Sequence, residues 1–316
     1  MSFSDKVMEG KARIGNFNYR IMGKLFRVLT RRMDKKRLKT QDYDYSDIET
    51  KTYSYMEDKN PYHQFDIHQR KDGYHHKGII ISIHGGGLIY GDKNLNRNSI
   101  RDLARMGYIV LSPSYSLAPK KSLYEQIHEL FTFFQYIIDN RNKLSLILEN
   151  VFLIGDSAGG LLSLYCVSIS NSPSLQQSFD ITQGMMLPFR AITLISTMSK
   201  LENTFIKRLA IKKADKNRDC YPYLLDATKM IDSHFPPTLM VTSDKDFIRS
   251  NSLEVRDRFQ EEGGVELSFY DYTSKERSLE HVFPITYPRY EESLEVYQNV
   301  NSFFEKHAFY FNKVLS

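Results

Sequence analysis

Residues 151–160, VFLIGDSAGG, constrain the fold of this chain more than any other stretch. The run from Val151 to Ile154 is apolar, too short for a helix and rich in β-branched and aromatic residues. A second apolar run with helix-forming composition, Leu161 to Val167, begins just past Ser157. The order is therefore strand, sharp turn, helix. Gly155 and Gly159 flank Ser157 in the pattern G-x-S-x-G, which forces the serine backbone into a strained conformation and projects its hydroxyl from the edge of a sheet.

The rest of the chain alternates in the same way. Phe65 to Gln69 reads as a half-buried strand that turns at Lys71, Asp72 and Gly73. Gly78 to Ile83, Tyr108 to Leu111, Ala191 to Ser196, Thr238 to Thr242 and Val265 to Tyr272 read as further strands, the central ones nearly continuous in apolar residues, as strands covered on both faces are. Residues 94–106, 122–139, 250–262 and 289–306 read as helices. This alternation predicts an α/β protein with a mainly parallel sheet flanked by helices. Residues 42–60 read as an acidic, tyrosine-rich linker, residues 171–189 as irregular, and the lysine-rich residues 198–235 as an insertion.

At 316 residues, with 41% hydrophobic and 13% aromatic content, the chain has enough apolar side chain for a sizeable core, which excludes a disordered or fibrous protein. Cys166 and Cys220 are too few for a disulfide framework and make no Cys-x-x-Cys pair, so a reducing compartment is expected. With no apolar run of signal-peptide or membrane-spanning length, the expectation is a soluble cytoplasmic protein. The charge of +5 is unevenly placed: residues 1–40 hold twelve lysines and arginines against three acids. Ile14, Phe17, Ile21, Leu25, Val28, Leu29 and Met33 recur there at helical spacing, which makes a basic amphipathic helix. One reading is a helix whose apolar face packs on the domain while its basic face is solvated. The other is contact with an anionic membrane surface or a lipid-like substrate. No nucleic-acid-binding motif accompanies the charge.

His84, Gly85, Gly86 and Gly87 close the Gly78 strand. Consecutive glycines let the backbone approach a ligand closely and aim successive N–H groups at one point, as an oxyanion hole for acyl transfer requires. A phosphate-cradling loop would need the Gly-Lys-Ser/Thr that is missing here. In an elbow protein the catalytic acid and histidine follow the serine along the chain. Of the later histidines, His234 precedes a strand and lies at the wrong sheet edge, His307 sits in the closing helix, and His281 follows a strand into a loop. Asp244 and Asp246 both follow the Thr238 strand, and the residues alone do not separate them.

Five pieces in this order, HGGGLIYG from His84, YSLAP from Tyr115, GDSAGG from Gly155, PPTLMVTSDKD from Pro236 and HVF from His281, resemble the hormone-sensitive-lipase-like family of α/β-hydrolases, which includes many microbial carboxylesterases. The resemblance runs from about residue 64 to residue 306. It implies an α/β-hydrolase fold with a helical cap, Ser157 as nucleophile, Asp246 as acid and His281 as base. Gly86, Gly87 and Ala158 would offer oxyanion N–H groups, with His84 and Gly85 supporting the glycine loop. The expected division is residues 1–50 as a basic cap segment and residues 51–316 as the catalytic domain, with a cap insertion at about 198–235. The implied activity is hydrolysis of short or medium acyl esters through an acyl-enzyme, with no metal or organic cofactor and a small-molecule ester as partner. Amide or formamide hydrolysis on the same apparatus, or a silent ligand-binding member of the fold, are the alternatives. The family's usual Asp-Tyr-Arg-Leu-Ala-Pro-Glu appears here with Ser114, Ser116 and Lys120 at its charged positions, and Leu88 replaces the aromatic that often follows the glycine loop. The salt bridges behind that loop are thereby altered, while none of these positions supplies a catalytic group.

Overall fold

Successive side chains of a strand leave opposite faces of a sheet, so a continuous apolar run needs cover on both sides. Ile79, Ile81 and Ile83 enter one buried cluster with Leu111, Leu153 and Met240, while Ile80 enters a second with Val110, Phe152, Ile154 and Val241. Each cluster fills one face of a single sheet. A fully buried isoleucine contributes roughly 1.5–3 kcal/mol, so the isoleucine run alone anchors the centre of the fold.

The computed structural model describes residues 19–41, 43–74, 77–182, 184–202 and 204–309. In chain order its elements are α1 (Tyr19–Thr40), β1 (Ile48–Ser54), β2 (Gln64–Arg70), β3 (Ile79–Ile83), α2 (Arg97–Arg105), β4 (Ile109–Pro113), α3 (Leu123–Asn140), β5 (Val151–Asp156), α4 (Ala158–Asn171), α5 (Pro173–Ser178), β6 (Phe189–Ile195), α6 (Thr204–Ala210), α7 (Tyr221–Leu225), β7 (Thr238–Ser243), α8 (Arg249–Glu262), β8 (Leu267–Tyr272), α9 (Phe283–Thr286) and α10 (Glu291–His307). The eight strands run in the order β1-β2-β4-β3-β5-β6-β7-β8. Pairings β1–β2 and β2–β4 are antiparallel, and the rest are parallel. Residues of α3, α4 and α8 cover the first face; α2 and α10 cover the second. The carboxyl ends of β3, β5, β6 and β7 consequently share one edge.

Three expectations change. Residues 42–60 hold β1, paired in register with β2 from Ile48↔Arg70 to Ser54↔Gln64. Only Ile48 is buried along it, so this edge strand carries no apolar alternation to read. The boundary expected at residue 50 falls inside this strand. Residues 173–178 form a short helix, capped by Ser172 with a proline at its first position. In α1 the apolar row is turned the other way from the packed arrangement: Ile21, Leu25, Val28 and Met33 are exposed, while Gly23 meets Leu209, Tyr19 meets Phe205, and Arg37 reaches Leu95 and Ile285. Ile14 and Phe17 lie outside the described residues.

Candidate active site

Ser157 stands between β5 and α4 with φ 52° and ψ −118°. Such a conformation costs a non-glycine residue roughly 1–3 kcal/mol and persists only when its surroundings hold it. Here the Ser157 N–H donates to Ile195 O at 2.9 Å, and its carbonyl accepts from Leu161 at 3.1 Å and from Met198 at 3.1 Å. The glycines around it are required by closeness. A Cβ on Gly155 would stand 2.4 Å from Gly159 O, one on Gly159 2.1 Å from Ile83 O, and one on Gly160 2.4 Å from Thr197 Oγ1.

The loops after β7 and β8 meet at a bridge between Lys245 and Glu280, and Ser243 Oγ donates to Leu279 O at 2.5 Å. That contact delivers His281. Its Nε2 lies 3.0 Å from Ser157 Oγ, and its Nδ1 lies 2.8 Å from Asp246 Oδ1. A carboxylate only accepts, so Nδ1 carries the proton and Nε2 is left to accept from the serine hydroxyl. Asp246 Oδ1 also accepts from Ile248 N at 3.0 Å, and Thr242 Oγ1 donates to Oδ2 at 3.3 Å. Burial works to raise the Asp246 carboxyl, but the His281 charge and hydrogen bond, with Ser196 and the Ile248 N–H, outweigh it and hold the group below its ordinary value. Asp244 is exposed and pairs with Lys245, so the structure separates the two aspartates that the residues left open. His234 is exposed beside Asp232, and His307 contacts Glu266 at the end of α10; neither approaches Ser157.

The glycine loop packs directly on the elbow. Gly85 N donates to Asp156 Oδ1 at 3.0 Å, and Asn96 Nδ2 donates to the same oxygen at 2.6 Å. Burial pushes the Asp156 carboxyl up to about 6, against the pull of Asn96, the His281 charge and the Gly85 N–H. Gly86 has φ 107° and Gly87 φ 61°. Among the described residues no protein acceptor takes the N–H of Gly86, Gly87 or Ala158, the last being the first residue of α4, where such groups are unpaired within the helix. His84 stacks on Tyr115 with ring centroids 4.3 Å apart, donates through Nδ1 to Gly85 O at 2.8 Å, and its own carbonyl accepts from the Tyr115 hydroxyl at 2.8 Å. Burial lowers His84 to about 4, against the Gly85 carbonyl, so the ring is neutral at pH 7.

Four supporting residues escaped the sequence reading: Asn96, Tyr115, Asp156 and Ser196. Asp156 and Tyr115 lie inside stretches singled out above, and their fixed place beside Ser157 and before Leu-Ala-Pro is the signal available. Asn96 and Ser196 carry none. Ser196, at φ 50°, accepts from Val282 N at 3.1 Å and so ties the histidine loop to the end of β6. The altered charges behind the loop have substitutes. Buried Glu129 accepts from Ser116 N at 2.6 Å, with His63 Nε2 at 3.2 Å from its other oxygen, and Lys93 Nζ meets both oxygens of Asp66 at 2.7 Å.

Comparison with known proteins places this geometry in context. A profile of the alpha/beta hydrolase fold matches residues 80–284. An esterase of Gibberella moniliformis is 24% identical over 201 residues, covering 58% of this chain and 61% of that protein. An acetyl esterase of Salmonella schwarzengrund is 34% identical over 89 residues, 28% of each chain. The alignments thus span under two thirds of these curated relatives. Among solved structures, esterase B of Lactobacillus rhamnosis superposes with a TM-score of 0.82 at 22% identity, covering 92% of this chain and 95% of that one; a Pyrobaculum calidifontis esterase gives 0.70 at 18%, covering 92% and 94%. Those likenesses concern the fold. With the profile spanning the glycine loop, the serine turn, the acid and the histidine in one continuous match, the chain belongs to the alpha/beta hydrolase fold family.

Proposed function

We propose that this protein hydrolyses carboxylic esters of small or medium acyl chain by two-step acyl transfer. The observation that carries the reading is the unbroken relay from Ser157 Oγ through His281 to Asp246, beside three backbone N–H groups that find no protein acceptor among the described residues. In the proposed mechanism His281 Nε2 takes the hydroxyl proton as Ser157 Oγ attacks the ester carbonyl. Asp246 fixes the imidazole tautomer and stabilises the imidazolium, and the amides of Gly86, Gly87 and Ala158 receive the developing oxyanion. His281 returns the proton to the leaving alcohol, and water then hydrolyses the acyl-enzyme. His84 and Gly85 act by holding the glycine loop. The names of the relatives support an ester substrate, and a form of the Lactobacillus enzyme inhibited by a tributyrin phosphonate points to acyl esters of that size.

Of the expected cap, residues 1–50 and about 198–235, residues 1–18 lie outside the described residues and residues 48–50 belong to β1, so the proposed cap is built on α1 and the 198–235 insertion. The packing of α1 on α6 supports it, because the Ile206 side chain of α6 lies 3.5 Å from where a Cβ on Gly87 would stand. No helix among the described residues is long and apolar enough to cross a membrane. The cysteines are free and buried, which supports a cytoplasmic location. Turnover of p-nitrophenyl esters of increasing chain length tests the proposal. Acetate to hexanoate esters should be cleaved, with a Ser157→Ala variant at background; no turnover of any ester above that variant contradicts it.

A further inference from the structure

Helix α1 turns four apolar side chains to solvent, Met33 and the three that share one row. Ile21 and Leu25 are each 56% exposed and Val28 is 47% exposed. Their spacing of four and then three residues sets them in one row along the helix. The same row continues through Arg32, Lys35 and Lys39, with Lys24, Arg31 and Lys36 exposed beside it. The opposite side of the helix is the packed one, where Tyr19, Gly23, Phe26, Asp34 and Arg37 lie against the protein. Nine lysines and arginines stand on α1 against one acid, Asp34, which Arg37 already holds. Among the described residues no carboxylate pairs with Lys24, Arg32, Lys35, Lys36 or Lys39.

We infer that this outward face docks on an anionic lipid bilayer. Ile21, Leu25 and Val28 enter the boundary between headgroups and acyl chains, and the cations of the following turns meet lipid phosphates. The chemistry selects this occupant. A short apolar row flanked by lysine and arginine is what a helix lying in a membrane interface presents. A second copy of this chain would bring the same cations onto these, since a two-fold interface pairs a patch with itself. The helix is about 33 Å long, enough for several headgroups to meet it. Its placement serves the proposed reaction without depending on it. α1 rests on α6, and Ile206 of α6 stands beside Gly87, so docking would set the bilayer on the side of the molecule that carries the glycine loop.

Co-sedimentation of the full chain with vesicles tests this, using phosphatidylcholine alone and phosphatidylcholine mixed with phosphatidylglycerol. Binding is expected to the mixed vesicles only, and to fall as salt is raised. Each interfacial cation is worth about fivefold in partitioning, so the variant Arg32→Gln/Lys35→Gln/Lys39→Gln should bind on the order of a hundredfold more weakly. The variant Ile21→Ser/Leu25→Ser/Val28→Ser should bind at least about tenfold more weakly. Both should keep the wild-type melting temperature and turnover of a soluble ester, because every altered side chain is exposed on the side of α1 turned away from the protein. The inference is overturned if the wild type ignores anionic vesicles at low salt. It is also overturned if the apolar variant binds them as well as the wild type, or if that variant instead lowers the solution mass from dimer to monomer. Since turnover of a soluble ester is scored separately, a failure here leaves the esterase proposal standing, and the reverse holds too.

Discussion

Gly159→Ala isolates the contact between elbow and glycine loop. The added Cβ would stand 2.1 Å from the Ile83 carbonyl oxygen and 2.7 Å from both the carbonyl carbon and the oxygen of His84. All three are backbone atoms at the end of β3, so no rotamer change can relieve them. The loop must move outward by about an ångström, and it carries Gly86 and Gly87 with it. A displacement of that size at a catalytic group costs about a hundredfold in rate. Loss of one oxyanion donor costs about 10²–10³ in kcat, or roughly 2.7–4 kcal/mol. Overpacking takes about 1–3 kcal/mol from stability. The expected outcome is a kcat for p-nitrophenyl acetate lowered by about a hundredfold with KM nearly unchanged, and a urea midpoint that falls. Gly184→Ala, where an added Cβ meets nothing within 4 Å, should alter neither. If Gly159→Ala is clearly destabilised yet turns over within about threefold of wild type, the glycine loop does not supply the transition-state contacts assigned to it.

Other outcomes follow from single contacts. Asp246→Asn should lower kcat by about 10⁴ with the fold intact, since an amide can hold the wrong tautomer of His281, and a nuclear magnetic resonance spectrum of the imidazole protons reads that tautomer directly. Asp156 is raised by burial from 3.8 to about 6 in the folded protein, so the native state holds its proton more tightly than the unfolded chain does. That group is neutral to stability below pH 3.8, and its cost grows up to about pH 6 and stays constant above, reaching about 3 kcal/mol. Asp156→Asn should therefore gain stability relative to wild type between pH 4 and pH 6 in urea titrations; a difference independent of pH would contradict the assignment. Glu129→Ala strands the buried Ser116 N–H and should cost about 1–3 kcal/mol by the same titration.

Much of this was legible in the residues because the informative signals are steric. Gly155 and Gly159 cannot bear a side chain where two backbones meet, nor Gly160 where the Thr197 side chain presses, so their pattern survives in the sequence as a readable mark. The central strands were legible because cover on both faces demands continuous apolar runs such as Ile79 to Ile83. The edge strand β1 was not, since its mostly exposed side chains obey no such demand. His281 followed from order along the chain. Asp246 was favoured over Asp244 by the family resemblance alone, and three-dimensional packing sets them apart physically by burying Asp246 and exposing Asp244. The compensation of Ser116 by His63 and Glu129 joins positions far apart in the chain, and no local pattern announces it. The apolar spacing of α1 was legible, yet its direction was not: periodicity defines a face and says nothing about what that face meets.

The central claim is that Ser157 is a nucleophile activated by His281. Intact-protein and peptide mass spectrometry after exposure to a fluorophosphonate tests it most directly. One phosphonyl group per chain is expected, on the peptide containing Ser157, absent in Ser157→Ala and formed at least about a hundredfold more slowly in His281→Ala. Modification at another residue, or labelling of Ser157 at the same rate without the His281 imidazole, would contradict the account.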